Sequence, residues 1–183
     1  MVRRVFDEFG ALRVNPGYER THLIGGSVSN SFGKATVRVE AGYSTDRFFL
    51  TQDRNDVDGV FQSAAFESVI GLDYPVDSDL FLSAQLFQSY LTRYDPRAAR
   101  SRLENTATFL MTKELWNDTA TIKMQVIHSL DRQDGQVELT MSYDLRSDLV
   151  LTVGANVFFG DNDGLFGQFH DRDRMTFGID YSF

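Results

Sequence analysis

Cysteine is absent from the 183 residues, so the chain holds neither a disulfide framework nor a thiolate metal site. Proline is nearly absent. Pro16, Pro75 and Pro96 are the three, and all are expected between strands, where a missing N–H does no harm. No stretch approaches 18 consecutive apolar residues, which excludes a membrane-spanning helix but not a membrane barrel, whose signal is alternation. A concentrated basic face is lacking too: 18 Lys and Arg stand against 26 Asp and Glu, net charge −8, and nucleic acid is excluded as a partner. The opening residues Met1 to Glu8 carry two arginines with no apolar run behind them, so no export signal is visible. Apolar spacing at i, i+3, i+4 and i+7 is nowhere sustained, so no amphipathic helix is expected.

What the chain has instead is period two. Ala35, Val37, Val39, Ala41 and Tyr43 alternate with Thr36, Arg38, Glu40, Gly42 and Ser44. Val137, Leu139, Met141 and Tyr143 do the same, as do Leu149, Leu151, Val153, Ala155, Val157 and Phe159. At the C-terminus, Met175, Phe177, Ile179, Tyr181 and Phe183 are apolar at every second position. Weaker alternation covers Phe66 to Tyr74, Leu80 to Tyr90, Asn105 to Met111 and Ile122 to His128. Nine strands follow, and a tenth is expected within Arg3 to Val14, with residues 1–20 otherwise left as a possible first strand and loop of a single 1–183 domain.

The connections alternate short and longer. Ser31 to Lys34, Pro75 to Asp79, Glu114 to Asp118 and Leu145 to Asp148 are short; Thr45 to Gly59, Asp95 to Arg102, Asp131 to Gly135 and Gly160 to Asp173 are medium or long. An antiparallel up-and-down meander with one kind of loop at each end has this form. The fold class expected is all-β, an up-and-down transmembrane β-barrel. Ten strands would close, and nine would point to the C-terminal part of a larger barrel.

A soluble sandwich hides its apolar face, whereas a membrane barrel turns it to lipid. Aromatic placement favours the second. Tyr74, Trp116, Tyr143, Tyr181 and Phe183 fall near the short turns, and Tyr43, Phe49, Tyr90, Tyr94 and Phe159 near the long loops. Aliphatics such as Val37, Val39, Ile70, Leu82, Leu151, Val153 and Ile179 lie between them. Two aromatic girdles around an aliphatic band suit lipid interfaces, because Tyr and Trp are amphipathic. The opposite face is expected to carry Arg38, Glu40, Glu67, Asp73, Gln85, Lys123, Gln125, Glu138, Asn156, Arg174 and Asp180. An aqueous lumen tolerates these groups and a protein core does not.

These residues carry a resemblance. The terminal strand RMTFGIDYSF resembles the C-terminal signature of Gram-negative outer-membrane proteins, in which that strand is read by the barrel-assembly machinery. The stretches ANVFFGDNDGLFGQFHDRDRMTFGIDYSF and FLMTKELWNDTATIKMQV look like the C-terminal portion of a large porin-like outer-membrane family of unassigned function, over about Thr21 to Phe183. The resemblance implies a bacterial outer-membrane location with the C-terminus on the periplasmic side. Outer-membrane lipid and lipopolysaccharide, the assembly machinery and an unidentified small solute are the implied partners. Family members are far longer and carry a signal peptide, so the resemblance implies the C-terminal part of a larger barrel.

Catalytic and metal chemistry find little footing. Outer-membrane lipases and deacylases look similar in placing His and Ser two apart on one strand face; here His128 and Ser129 are adjacent, on opposite faces. His22 and His170 have no Ser two residues away on a shared strand. No catalytic residue is assigned and no enzyme is expected. Asp53 to Gly59 and Asp161 to Gly164 resemble half of a calcium loop, but Val57 stands at the fifth position and Arg172 at the twelfth, so the acidic loops are taken as turns and no metal or other cofactor is assigned. In the loop Gly164 to His170, Phe166, Phe169 and His170 are candidates for a constriction folded inward or for packing on the rim. Passive passage of small solutes is the leading expectation, a non-conducting structural or adhesive barrel the second, and a lipid-modifying enzyme the third.

Overall fold

The computed structural model describes the backbone of residues 2–6 and 12–16, and all of residues 20–53, 56 and 59–183. Eleven strands lie in it: β1 (Val2–Phe6), β2 (Leu12–Pro16), β3 (Leu23–Phe32), β4 (Ala35–Leu50), β5 (Val60–Pro75), β6 (Leu80–Leu91), β7 (Leu103–Leu115), β8 (Ala120–Ser129), β9 (Asp134–Arg146), β10 (Leu149–Phe159) and β11 (Arg174–Tyr181). Gly167–Phe169 forms a single 3-10 turn. The fold is all-β. Strands β3 to β11 form one antiparallel sheet in sequence order, each neighbour in the chain also its neighbour in space. No pairing joins β3 to β11 among the described residues.

Several boundaries differ from expectation. The Arg3 to Val14 segment supplies no tenth strand to the sheet; β1 and β2 pair with each other, Arg4 opposite Val14, in a sheet of their own. Residues 7–11 between them lie outside the described residues. Pro16 and Pro75 do not fall between strands but close β2 and β5 at their last positions, where a lost N–H interrupts no further ladder. The β8–β9 connection shortens to the turn 130–133, so loop lengths do not alternate there, and β4 runs on to Leu50, past the loop start expected at Thr45.

Register explains the two faces. From β8 through β11 the pairs Ile122–Met141–Val153–Phe177 and Met124–Leu139–Ala155–Met175 form continuous apolar rows. Leu139, Met141, Val153, Met175 and Phe177 in these rows are exposed, Phe177 at 76% and Val153 at 44%, while Ile122, Met124 and Ala155 are half-buried. By contrast, Leu91 is the one large apolar side chain fully buried among the described residues. A chain of this size that kept its apolar rows inside would bury many such groups.

The chain divides into two compact units. One holds the ends of β3 to β6 beside the 51–59 and 92–102 loops, and its interior is Leu91 with the small side chains of Ser63, Ala64, Ala65 and Ala98. Burying Leu91 contributes about 1.5–3 kcal/mol. Thr92 donates its N–H to the Ala64 carbonyl at 3.0 Å and Ala99 to that of Leu50 at 2.9 Å, tying the 92–102 loop to both β4 and β5. The other holds the remainder of β3 to β6 with β7 from Asn105 onward and β8 to β11.

One glycine position in the second unit is demanded by packing. Gly135 sits between His128 and Phe159 on the apolar face, and their rings approach to 5.6 Å across it. A Cβ there would meet the Phe159 ring and stand 3.1 Å from the Cα of His128. Nearby, Gln133 holds a left-handed φ of 54° with an exposed side chain. Gly135→Val is expected to cost about 1–3 kcal/mol by overpacking. Gln133→Gly is expected to gain about 1 kcal/mol by removing the left-handed penalty. Denaturant midpoints measured on both variants check the opposite signs.

Candidate functional site

The polar face is built by the same ladder that exposes the apolar one. Gln125 on β8 lies opposite Glu138 on β9, Glu138 opposite Asn156 on β10, and Asn156 opposite Arg174 on β11, so four polar groups form one row. The neighbouring row is Thr112–Lys123–Thr140–Gly154–Thr176. Paired strands lie about 4.8 Å apart, so Glu138 and Arg174 stand two strand spacings from each other with Asn156 between them. Asp180 lies on the same face further along β11, opposite Val150. Arg38 on β4 reaches Asp73 on β5 with a 2.8 Å ion pair. Glu67 pairs with Arg47, a partner that the sequence pattern does not reveal. Glu40 is exposed.

Arg47 has the parity of Val37 and Val39, so strict alternation places it on the apolar face. Asp46 takes a φ of 56° within β4, and a single residue in that conformation breaks the strict alternation. Beyond it Arg47 meets Glu67, and the Phe49 ring packs tilted against Phe61 at 5.8 Å, both partners sharing the strand parity of Asp73. Phe49 therefore leaves the aromatic girdle in which alternation placed it. Arg47 and Arg100 each lie 5.4 Å from the Phe49 ring centre, and Arg100 also donates to the Ser89 hydroxyl at 3.1 Å. Thus the 92–102 loop folds toward the polar face.

The 160–173 loop does the same in the second unit. Asp134, the first residue of β9, is fully buried, and its Oδ2 accepts from the N–H groups of Phe166 at 2.7 Å and Gly167 at 3.3 Å. Asp173 Oδ1 accepts from the Phe158 N–H at 2.9 Å, and Arg132 donates to the Asp163 carbonyl at 2.9 Å. Phe169 packs on Phe158 at 5.8 Å, and Phe158 has the parity of Asn156. Of the three loop candidates, Phe166 acts through its backbone N–H and Phe169 through its ring, while His170 Nδ1 lies 3.0 Å from the Gly167 carbonyl and Nε2 3.2 Å from Asp171. Gly164 leaves room for the Asp134 carboxylate, because a Cβ there would stand 2.8 Å from the Asp134 Cβ and closer still to the carboxylate. Asp134 was not singled out from sequence; a lone aspartate after a turn carries no signal that two amides from a segment thirty residues away will meet it.

The girdle candidates are spread along the strands. Trp116 lies edge-on to Tyr143 at 6.1 Å, from a turn in which Trp116, Asn117 and Asp118 all take left-handed φ. Tyr181 stacks with Phe183 at 6.5 Å, Phe159 packs tilted against His128, and Tyr90 carries the Arg102 guanidinium 4.9 Å above its ring. Tyr74 is exposed at the end of β5, and Tyr43 is half-buried on β4. Lys113, on the apolar parity of β7, extends its ammonium to within 3.8 Å of Asp77 and Asp79 in the 76–79 turn, as a long basic side chain does at the rim of an apolar surface.

His128 and Ser129 occupy opposite faces, one opposite Gly135 and the other opposite Asp134. No group of three or more His, Asp or Glu side chains suited to a metal ion occurs among the described residues. In the Asp53 to Gly59 segment, residues 54, 55, 57 and 58 lie outside the described residues. No protein-family model matches the chain, and no curated protein is similar to it.

Two loop carboxylates are held below their ordinary value of 3.8: Asp77 chiefly by the Asp79 N–H, with help from the Leu80 N–H, Lys113 and Lys34, and Asp95 chiefly by the hydrogen-bonded Arg97 side chain. Arg97 is correspondingly raised by Asp95. Carboxylates with depressed pKa contribute stability above 3.8 that is lost as pH falls through the folded-state value. Amide exchange at Asp79, Leu80 and Arg97 is therefore expected to be pH-insensitive in its protection above about pH 5 and to lose protection below about pH 3. Asp134→Ala is expected to cost about 1–3 kcal/mol and to speed exchange at Phe166 and Gly167. Gly164→Ala, which displaces the same carboxylate, should free the same loop while leaving β8 exchange unchanged.

Proposed function

We propose that this chain is part of a porin-like β-barrel of the bacterial outer membrane, admitting small polar solutes passively, with its C-terminus on the periplasmic side. The observation that carries the reading is the inverted burial: on one face lie extended apolar rows in which Leu139, Met141, Val153, Met175 and Phe177 are exposed, while charged and amide groups occupy the other. Only a nonpolar surrounding makes such rows favourable, since each apolar Å² left in water forfeits about 25 cal/mol. A closed antiparallel barrel is the β-architecture that lipid accepts, because it leaves no backbone group unpaired. Trp116, Tyr143, Tyr181 and Phe183 suit the headgroup region at the short-turn end. Within the second unit the 160–173 loop approaches the polar side of the sheet, which suits a lining to a solute path.

A second reading, a non-conducting structural barrel, draws support from the paired charges Arg38–Asp73 and Arg47–Glu67, which fill a polar face without leaving it open to solutes. Planar-bilayer conductance separates the two. Channels whose cation preference changes in Glu138→Lys and Arg174→Glu are expected for the first reading. A reconstituted full-length protein that never conducts would sink the transport claim.

The lipid assignment has its own check. Val153→Lys places a charge in the apolar row, and Thr152→Lys places it one residue away on the polar face. The first is expected to destabilise the vesicle-inserted protein by about 2–4 kcal/mol and the second by well under 1 kcal/mol. Equal effects, or a chain that fails to float with phosphatidylcholine vesicles, would refute lipid contact.

A further inference from the structure

The short turns 76–79 and 116–119 come together beside β7 within the second compact unit. The Glu114 N–H donates to the Asp79 carbonyl at 2.8 Å, which ties the first turn to the strand that leads into the second. Beside them lies a cavity of about 620 Å³ whose wall includes Asp79, Lys113, Glu114, Leu115, Trp116 and Asp118. Small-molecule sites span about 300–1,000 Å³. Two of the wall residues head apolar rows: Lys113 begins Lys113–Ile122–Met141–Val153–Phe177, and Leu115 begins Leu115–Ala120–Tyr143–Leu151–Ile179. Trp116 reaches Tyr143 of the second row edge-on. The cavity therefore adjoins the face proposed above to meet lipid.

The polar groups of this cavity have capacity that the fold leaves unused. The Lys113 ammonium stands 3.8 Å from Asp77 and from Asp79, near enough for ion pairing, yet it donates a hydrogen bond to no described residue. Both partners are otherwise engaged: Asp77 accepts from the N–H groups of Asp79 at 2.9 Å and Leu80 at 2.8 Å, and Asp79 meets the Ser78 hydroxyl. The carboxylates of Glu114 and Asp118 accept from no described residue, and the Trp116 ring is 65% exposed. An ammonium offers three donors and a carboxylate only acceptors, so the cavity suits an anion at Lys113 and a cation at Glu114 and Asp118. Trp116 gives that cation an aromatic face. The chain fixes the order of these groups: Lys113 lies within β7, while Trp116 and Asp118 lie beyond its last residue, Leu115.

We propose that the cavity binds the headgroup of phosphatidylethanolamine, the phosphate accepting hydrogen bonds from Lys113 and the ammonium donating to Glu114 and Asp118 against the Trp116 ring. The lipid has the same order of charges, since its phosphate joins the glycerol and its ammonium ends the molecule. Its acyl chains then continue along the row headed by Leu115. Phosphatidylglycerol brings no cation to the carboxylates, and phosphatidylcholine brings one that has no N–H to donate. A dissolved amine lacks the apolar tail that the adjoining row accommodates. This assignment rests on the lipid reading proposed above.

Trp116 is the single tryptophan of the chain, so its emission reports on the site itself. The full 183-residue chain is placed in phosphatidylcholine vesicles that contain a minor share of one lipid with dibrominated acyl chains, which quench tryptophan on contact. Brominated phosphatidylethanolamine is expected to associate with Trp116 about tenfold more strongly than brominated phosphatidylcholine or phosphatidylglycerol, the scale of one charge-assisted hydrogen bond. Glu114→Gln combined with Asp118→Asn is expected to abolish that preference while flotation with the vesicles persists; Asn suits the left-handed φ of 64° at Asp118. Brominated diacylglycerol, which lacks the phosphate, is expected to associate about tenfold less than phosphatidylcholine in the unsubstituted chain and equally in Lys113→Met. In a chain that floats, equal association of phosphatidylethanolamine and phosphatidylcholine would overturn the proposal alone. So would phosphatidylglycerol matching phosphatidylethanolamine, or a preference that survives the carboxylate substitutions. Dissolved phosphoethanolamine that removes the quenching would mark a free solute as occupant and overturn it too. A chain that does not float sinks the lipid reading itself, and this assignment with it.

Discussion

The in-register antiparallel ladder is the constraint on which the rest depends. Side chains alternate sides with a period of two, so each cross-strand pair commits its whole row to one face. From β8 to β11 the pairs run without a slip through Ile122, Met141, Val153 and Phe177 on one side, and through Gln125, Glu138, Asn156 and Arg174 on the other. The cost of a one-residue slip would be an arginine among exposed apolar rows and a phenylalanine among the charges. Where a shift does occur, between Leu149 and Val150, it falls at the end of the strand beside the 147–148 turn, and the rows beyond it are undisturbed.

The loops solve a different problem, that of satisfying backbone groups outside the ladder. Asp134 answers it for the 160–173 loop by accepting two amide N–H groups at the start of its 3-10 turn, in a position where Gly164 provides the room. Arg97 and Arg100 answer it for the 92–102 loop, one gathering Asp95 and Asp53, the other joining Ser89 and Glu104 with the Phe49 ring. Exposed pairs of this kind hold a loop in one conformation more than they stabilise the fold.

How much of this was legible varies with sequence separation. The strands from Ala35 to Phe183 are visible in the alternation, and so is the shared parity that sets Lys123, Glu138 and Arg174 on one side of the β8 to β11 ladder, because local period is all that this requires. Strand ends were less legible. β7 extends from Leu103 to Leu115, beyond the Asn105 to Met111 core of its pattern, since cross-strand partners continue pairing where alternation fades. The left-handed φ of Asp46 is invisible in the alternation, and so are the approach of Phe49 to Phe61 and of Arg47 to Glu67. The N-terminal segment was misjudged for a related reason: Arg3 to Val14 does hold strand-forming residues, but which strand they pair with is a matter of chain folding, not of local pattern.

By itself the sequence determined an all-β meander with an apolar and a polar face, because two residues per repeat and short turns leave the chain little other choice. Only the tertiary structure decided where the loops lie, which charges meet, and that β1 and β2 pair with each other in a sheet of their own. Those outcomes depend on contacts between residues tens of positions apart, whose entropy of closure is repaid by partners that no local window contains.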